Sequence, residues 1–188
     1  KSEGVPIWKL LTSLTSEQVC EVIDWRYLKD VMSPQEVPDL MLKAEEVRVN
    51  YDYISKNGIK AYSTSGWSGL SNNQIITQIK TLRNQGFTHF KVKVGSNLAD
   101  DLLRVKLIKE SIGENCTLML DSNQVFGVSD SIKYIEHFAE FEPLWIEEPT
   151  ARDDIQGMLK IKNALQKNNI GVAAGEQVQS VTIFKQLL

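Results

Sequence analysis

From Lys60 onward, short apolar runs alternate with longer amphipathic segments five times in succession, and that rhythm admits few folds. Residues 61–65, 90–94, 117–120, 144–147 and 172–174 read as strands. The stretches 71–85, 98–112, 129–141 and 154–167 read as helices, and 181–188 starts another. Five βα units in series call for a parallel sheet with helices outside it. Rhythm alone leaves a doubly wound sheet and a (β/α)8 barrel both open.

The polar residues decide between them. In Phe90-Lys91-Val92-Lys93-Val94 the side chains alternate between faces, so Phe90, Val92 and Val94 pack under helices while Lys91 and Lys93 share the other face. Both faces of a doubly wound sheet are dry, and two buried lysines there are very unfavourable. A barrel lets that face open into the mouth of a site. An edge strand with solvated lysines is the plainer alternative.

The acids follow the same logic. Asp121 closes the run Leu118-Met119-Leu120, with Asn123 two residues on; Glu147 closes Trp145-Ile146; Glu176 follows Val172-Ala173-Ala174-Gly175. Each stands at the C-terminal end of a strand, where barrel enzymes keep their chemistry. One such acid alone is better read as a helix cap. Three at consecutive strand ends, on strands about 4.8 Å apart, can converge on one hard cation. Oxygen donors without Cys or His suit Mg²⁺. A base beside such a cation implies abstraction of a proton next to a substrate carboxylate. Lys93 is the expected base, and Lys91, a second cation close by, favours the neutral amine on Lys93 and helps hold the substrate.

These residues resemble the mandelate-racemase-like branch of the enolase superfamily. Lys91-Val92-Lys93, Asp121-Ser122-Asn123-Gln124, Trp145-Ile146-Glu147-Glu148-Pro149-Thr150 and Gly175-Glu176-Gln177 match its signatures in order. Lys93, Asp121, Glu147 and Glu176 are spaced 28, 26 and 29 residues apart, one βα unit each. Sites of this superfamily pair a Lys or His base with Mg²⁺. The phrases Gly4-Val5-Pro6-Ile7-Trp8, Asp24-Trp25-Arg26-Tyr27 and Ile183-Phe184-Lys185-Gln186-Leu187-Leu188 narrow the likeness to the L-fuconate dehydratase group and its animal relatives, over the full chain.

The resemblance implies Lys93 as base, Asp121, Glu147 and Glu176 as Mg²⁺ ligands, and Lys91, Asn123, Glu147 and Glu176 as substrate contacts. It implies an α/β chain: an incomplete (β/α)8 TIM barrel, about its first five βα units, over residues 58–188. Residues 1–57 are then the C-terminal helical part of a capping domain. Their own signals agree on helices: Thr15-Ser16-Glu17-Gln18 and Ser33-Pro34-Gln35-Glu36 offer caps, the second before a helix over 37–53, and Gly58 breaks the pattern. The implied reaction is dehydration of an acid sugar, L-fuconate to its 2-keto-3-deoxy product. Alternatives are another acid-sugar dehydratase or racemase of the branch, or a non-catalytic product acting as an interaction or regulatory protein.

Some parts of the branch's pattern are missing. Its general acid, a histidine supported by an Asp, comes from later strands. Of the two histidines here, His89 lies at the far end of the strand bearing the lysines, and His137 falls inside the 129–141 helix as a solvated residue. Ser122 stands where relatives usually carry Ala. The start at Lys1 and the apolar ending at Leu188 read as cuts through structure, so these residues alone are expected to be an inactive fragment.

A net charge of −3 spread over 188 residues gives no basic footprint for nucleic acid and no polybasic membrane anchor. Apolar stretches are too short to span a bilayer as a helix. Cys20 and Cys116 belong to no metal or redox pattern and read as buried free thiols of a reducing compartment. The expectation is an intracellular protein, mitochondrial or cytoplasmic, with a small-molecule acid sugar as partner and self-association left open.

Overall fold

The computed structural model describes residues 4–48, 56, 58–67 and 69–187. The chain divides into two compact units, Lys1–Ile59 with Ser180–Gln186, and Lys60–Gln179 with Leu187.

The first unit is helical. Helix α1 (Ile7–Thr12) is followed by α2 (Ser16–Val22), started by a capping box: Thr15 Oγ1 accepts from the Gln18 amide, and the Gln18 side chain accepts from the Thr15 amide. The Ser33–Glu36 pair repeats the device around a 3₁₀ turn, Pro34–Glu36, which leads into α3 (Val37–Arg48). The helix read over 37–53 is thus seen to Arg48, and 49–53 lie outside the described residues. Cys20 is only partly buried, its Sγ 3.5 Å from the Pro34 carbonyl oxygen, whereas Cys116 is buried; both are free thiols.

The second unit carries the sheet. Strands β1 (Ser63–Ser65), β2 (His89–Lys93), β3 (Thr117–Asp121), β4 (Trp145–Glu147) and β5 (Gly171–Ala173) are all parallel and lie side by side in sequence order. A doubly wound sheet reverses its strand order at a switch point, and this one does not. The fold is α/β, with the strand order of part of a (β/α)8 barrel. Helices α4 (Asn72–Asn84), α5 (Leu98–Ile112), α6 (Val128–Glu136) and α7 (Ile155–Leu165) make the crossovers. Ser71 starts α4 through a capping box with Gln74, and Asp154 caps α7 by accepting from the Gly157 amide.

The core lies between sheet and helices. Phe90, Val92, Leu118, Leu120 and Ile146 meet Ile75, Ile79, Ile108, Ile135 and Ile161, and all are essentially fully buried. Each such side chain contributes roughly 1.5–3 kcal/mol of transfer free energy. Committing the apolar face of β2 to this core leaves Lys91 and Lys93 on the other side. The helix expected over 129–141 ends earlier, at Glu136. Fully buried Phe138 has left the helical region (φ −97°, ψ 1°) before a separate 3₁₀ turn, Ala139–Phe141.

The last helix, α8 (Val181–Leu187), follows β5 in sequence, yet Ser180–Gln186 groups with the first unit. The reason is local: Lys185 Nζ donates to the Tyr27 carbonyl at 2.9 Å and pairs with the Asp30 carboxylate at 2.9 Å. Val181 and Phe184 line an apolar cavity with Leu28, Val31 and Met32. Among the described residues, no helix is long and apolar enough to cross a membrane.

Candidate active site

Parallel registry sets the site. Lys93 on β2 stands opposite Asp121 on β3, and Asp121 stands opposite Glu147 on β4. Three candidate side chains therefore finish three adjacent strands at one level. Lys93 Nζ donates to Asp121 Oδ2 at 2.5 Å and to Asn123 Oδ1 at 2.7 Å. Lys91, one pleat lower on the same face, donates to Glu147 Oε2 at 2.6 Å and lies 3.0 Å from Asp121 Oδ2. The two lysines and two acids thus form one connected cluster.

Its charges are strongly coupled. Burial works against the Lys91 ammonium, but its hydrogen bonds to Glu147, Asp121 and Tyr62 outweigh that and hold its pKa well above the usual lysine value. Asp121 is also penalised by burial, yet bonds from Lys93 and Lys91 bring its carboxyl below the usual aspartate value. Both are therefore fixed in their charged forms at neutral pH.

The loops after β3 and β4 are held in a sparsely populated conformation. Asn123, Gln124 and Glu148 are non-glycine residues at φ 45°, 64° and 45°, each costing on the order of 1 kcal/mol. They are clamped together: the Glu148 carbonyl accepts from the Gln124 amide at 2.8 Å and from Ser122 Oγ at 3.1 Å. The Glu148 amide donates to the Ala173 carbonyl at 2.9 Å, tying β4 to β5. Ser122 is part of this clamp.

Glu176 stands apart. Glu147 is paired with Ala173, the last residue of β5, and the chain then turns at Gly175 (φ 127°) before reaching Glu176, which is exposed. Among the described residues, no group of three or more His, Cys, Asp or Glu side chains is gathered as a metal cage. Asp121 and Glu147 are adjacent, with the lysine ammonium groups bound to them, and Glu176 lies beyond the strand that would have aligned it. His89 is half-buried at the start of β2 with its Nδ1 2.9 Å from Thr88 Oγ1, and His137 is exposed at the C-cap of α6. Neither touches the cluster.

Two aromatic residues, Tyr62 and Trp67, meet it instead, and Trp145 backs the first. Tyr62 receives a 3.2 Å hydrogen bond from Lys91 Nζ, whose charge also sits 5.0 Å from the phenol ring centroid, and Tyr62 meets Trp145 edge to face at 6.2 Å. Trp67 lies with its ring 6.0 Å from Lys93 Nζ. Tyr62 and Trp67 flank the first strand, and Trp145 opens β4; their contacts run between elements and carry no sequence signal of their own.

The donor chemistry fits a hard divalent cation. Asp121, Glu147 and Glu176 offer oxygen only. Glu148, beside Glu147, has a fully buried carboxylate with no hydrogen-bond partner among the described residues. Asp121, Glu147 and Glu148 carry a formal charge one unit more negative than Lys91 and Lys93 offset, and exposed Glu176 adds to it.

The sequence profile described as "Enolase C-terminal domain-like" matches residues 74–188. The chain belongs to the enolase superfamily. Among its enolase-superfamily relatives, human "Mitochondrial enolase superfamily member 1" is 39% identical over 190 residues, spanning 100% of this chain and 43% of the relative. The crystal structure of that human protein superposes with a TM-score of 0.93 at 38% identity, over 98% of this chain and 42% of that one. "L-galactonate dehydratase" of Hypocrea jecorina is 34% identical over 193 residues, again 100% of this chain and 43% of the relative. "L-talarate/galactarate dehydratase" from Salmonella typhimurium LT2, solved with Mg and L-lyxarohydroxamate, superposes with a TM-score of 0.62 at 28% identity, over 69% of this chain and 33% of that one. The chain thus spans less than half the length of the relatives it matches most fully, which include dehydratases of acid sugars.

Proposed function

We propose that the protein, at its natural length, is a Mg²⁺-dependent acid-sugar dehydratase whose base is Lys93 and whose substrate is L-fuconate. The observation that carries this reading is the inequality of the two lysines. The Lys91 side chain is 6% exposed and saturated by two carboxylates, whereas Lys93 is 26% exposed at the open end of the strands. Lys91 suits a fixed positive charge facing a substrate carboxylate, and Lys93 suits contact with a reacting hydrogen. Asn123, bonded to Lys93 Nζ, orients the amine.

Mg²⁺ would be held by Asp121, Glu147 and Glu176, Glu176 and Glu147 also reaching substrate oxygens, and would supply a Lewis acid for charge developing on the substrate carboxylate. Lys93 takes the proton beside that carboxylate; positioned base catalysis of this kind contributes roughly 10²–10⁴-fold. Departure of the neighbouring hydroxyl as water, with a proton from the general acid that the resemblance places on later strands, completes a dehydration, while return of the proton to the other face would give a racemase. The dehydratases among the relatives and the Mg bound to one of them favour the first outcome. Turnover is proposed for the whole protein, because the present residues supply five strands. The name of the human relative favours a mitochondrial setting.

The test is a screen of acid sugars with Mg²⁺ in deuterated solvent, reading hydrogen exchange next to the carboxylate and formation of 2-keto-3-deoxy acids. L-fuconate is expected to give both, and Lys93→Ala neither. Exchange in Lys93→Ala at the wild-type rate would remove Lys93 from the role of base, and silence of the wild-type protein toward every acid sugar would end the reading.

A further inference from the structure

A second buried polar cluster lies behind the turn that follows β2. Asp101, in the first turns of α5, is fully buried. Its carboxylate accepts from the Gly95 amide at 2.7 Å, the Ser96 amide at 3.1 Å and Ser96 Oγ at 3.2 Å. Tyr134 of α6 donates its hydroxyl to the same carboxylate at 2.6 Å, and Arg104 pairs with it at 3.0 Å. Arg104 Nη1 also reaches the backbone carbonyl of Lys93 at 3.5 Å.

The geometry joins the loops that follow Lys93 on β2 and Asp121 on β3. Gly95 and Ser96 stand two and three residues after Lys93, so Asp101 fixes the turn that follows β2. Tyr134 stacks against Phe126 at 4.5 Å between ring centroids, and Phe126 ends the loop that begins at Asp121 and contains Asn123. Gly95 completes the contact: an added Cβ would stand 2.6 Å from Val125 Cγ2 and 3.4 Å from the Phe126 ring. A cluster serving only cohesion would need none of these contacts to converge on the residues after Lys93 and Asp121.

We infer that Asp101, Arg104 and Tyr134 are positioning residues that set the height of Lys93 against Asp121 and Asn123. The inference rests on Lys93 being the base. Its physical basis is the steep dependence of proton transfer on alignment, where a misplacement of about 1 Å can cost on the order of 10²-fold. Buried carboxylates that accept several backbone amides are suited to the task, because their partners cannot turn to water instead.

The experiment compares Tyr134→Phe, which keeps the ring and removes one hydroxyl, with Asp101→Asn and with the remote core variant Ile161→Val, in the protein at its natural length. Amide hydrogen exchange at Gly95 and Ser96 is measured together with kcat and KM for substrate hydrogen exchange. Tyr134→Phe is expected to speed exchange of those two amides and lower kcat roughly tenfold with KM within twofold; Asp101→Asn should do more, if it folds. Ile161→Val should change neither readout at a comparable loss of melting temperature. The inference is overturned if the Gly95 and Ser96 amides keep their protection in Tyr134→Phe, or if kcat tracks melting temperature across all variants. A wild-type protein inert toward acid sugars sinks the proposed function instead, and the amide measurement then still decides whether these residues hold the turn.

Discussion

Lys91 Nζ lies 2.6 Å from Glu147 Oε2, a bond between residues 56 positions apart that crosses from β2 past β3 to β4. It skips a strand because Asp121 sits between them and takes the same ammonium at 3.0 Å. Removing that ammonium leaves buried Glu147 without its partner and Asp121 with Lys93 alone. Lys91→Met is expected to cost about 3–5 kcal/mol of stability. Urea denaturation measures this, and a cost below about 1 kcal/mol would show the acids to be solvated.

Glu147→Gln tests the cation. Replacing one anionic oxygen donor of the proposed set should weaken Mg²⁺ binding by roughly tenfold or more. Calorimetry on the protein at its natural length reads it directly. Equal affinity in the variant and the wild type would assign Glu147 to the lysine cluster alone.

At alkaline pH a second pair of groups governs stability. Tyr134 is raised above its ordinary value of 10.0, by burial first and then by its bond to Asp101. Its folded-state value exceeds its unfolded one, so its contribution is complete below about pH 10 and is lost as pH rises through the folded value. Lys91, raised above 10.5, is lost over the same side of the scale. Tyr134→Phe deletes the first contribution. Between pH 9 and 11 its stability should fall less steeply than that of the wild type, and parallel curves would contradict the coupling.

Gly95→Ala combines two faults. The backbone there is at φ 109°, which a side chain rarely adopts, and the added Cβ would meet Val125 Cγ2 at 2.6 Å. A loss of about 1–3 kcal/mol is expected. A variant as stable as the wild type in thermal melts would mean that the loop shifts freely and does not hold Lys93.

Much of this was legible in the sequence, for stated reasons. The period-two pattern of β2 put Lys91 and Lys93 on one face because Phe90 and Val92 had to pack under helices, and they do. Asp121 and Glu147 could be aligned because both close their strands. Glu176 could not, since β5 stops at Ala173 and the two intervening residues, Ala174 and Gly175, set its direction. Tyr62, Trp67 and the Asp101 cluster act through contacts across elements, and no spacing along the chain encodes those. The place of α8 was hidden for the same reason: Lys185 is tied to Tyr27 and Asp30 across more than 150 residues.

The pairing of two lysines with two acids at the strand ends has a thermodynamic consequence. The chain brings its own counter-ions, so Asp121 and Glu147 can be buried during folding without borrowing positive charge from solution. A cation binding there would compete with ammonium groups already seated. Were the proposed cation to bind at this end of the sheet, its uptake would be an exchange, in which a lysine ammonium gives up its carboxylate.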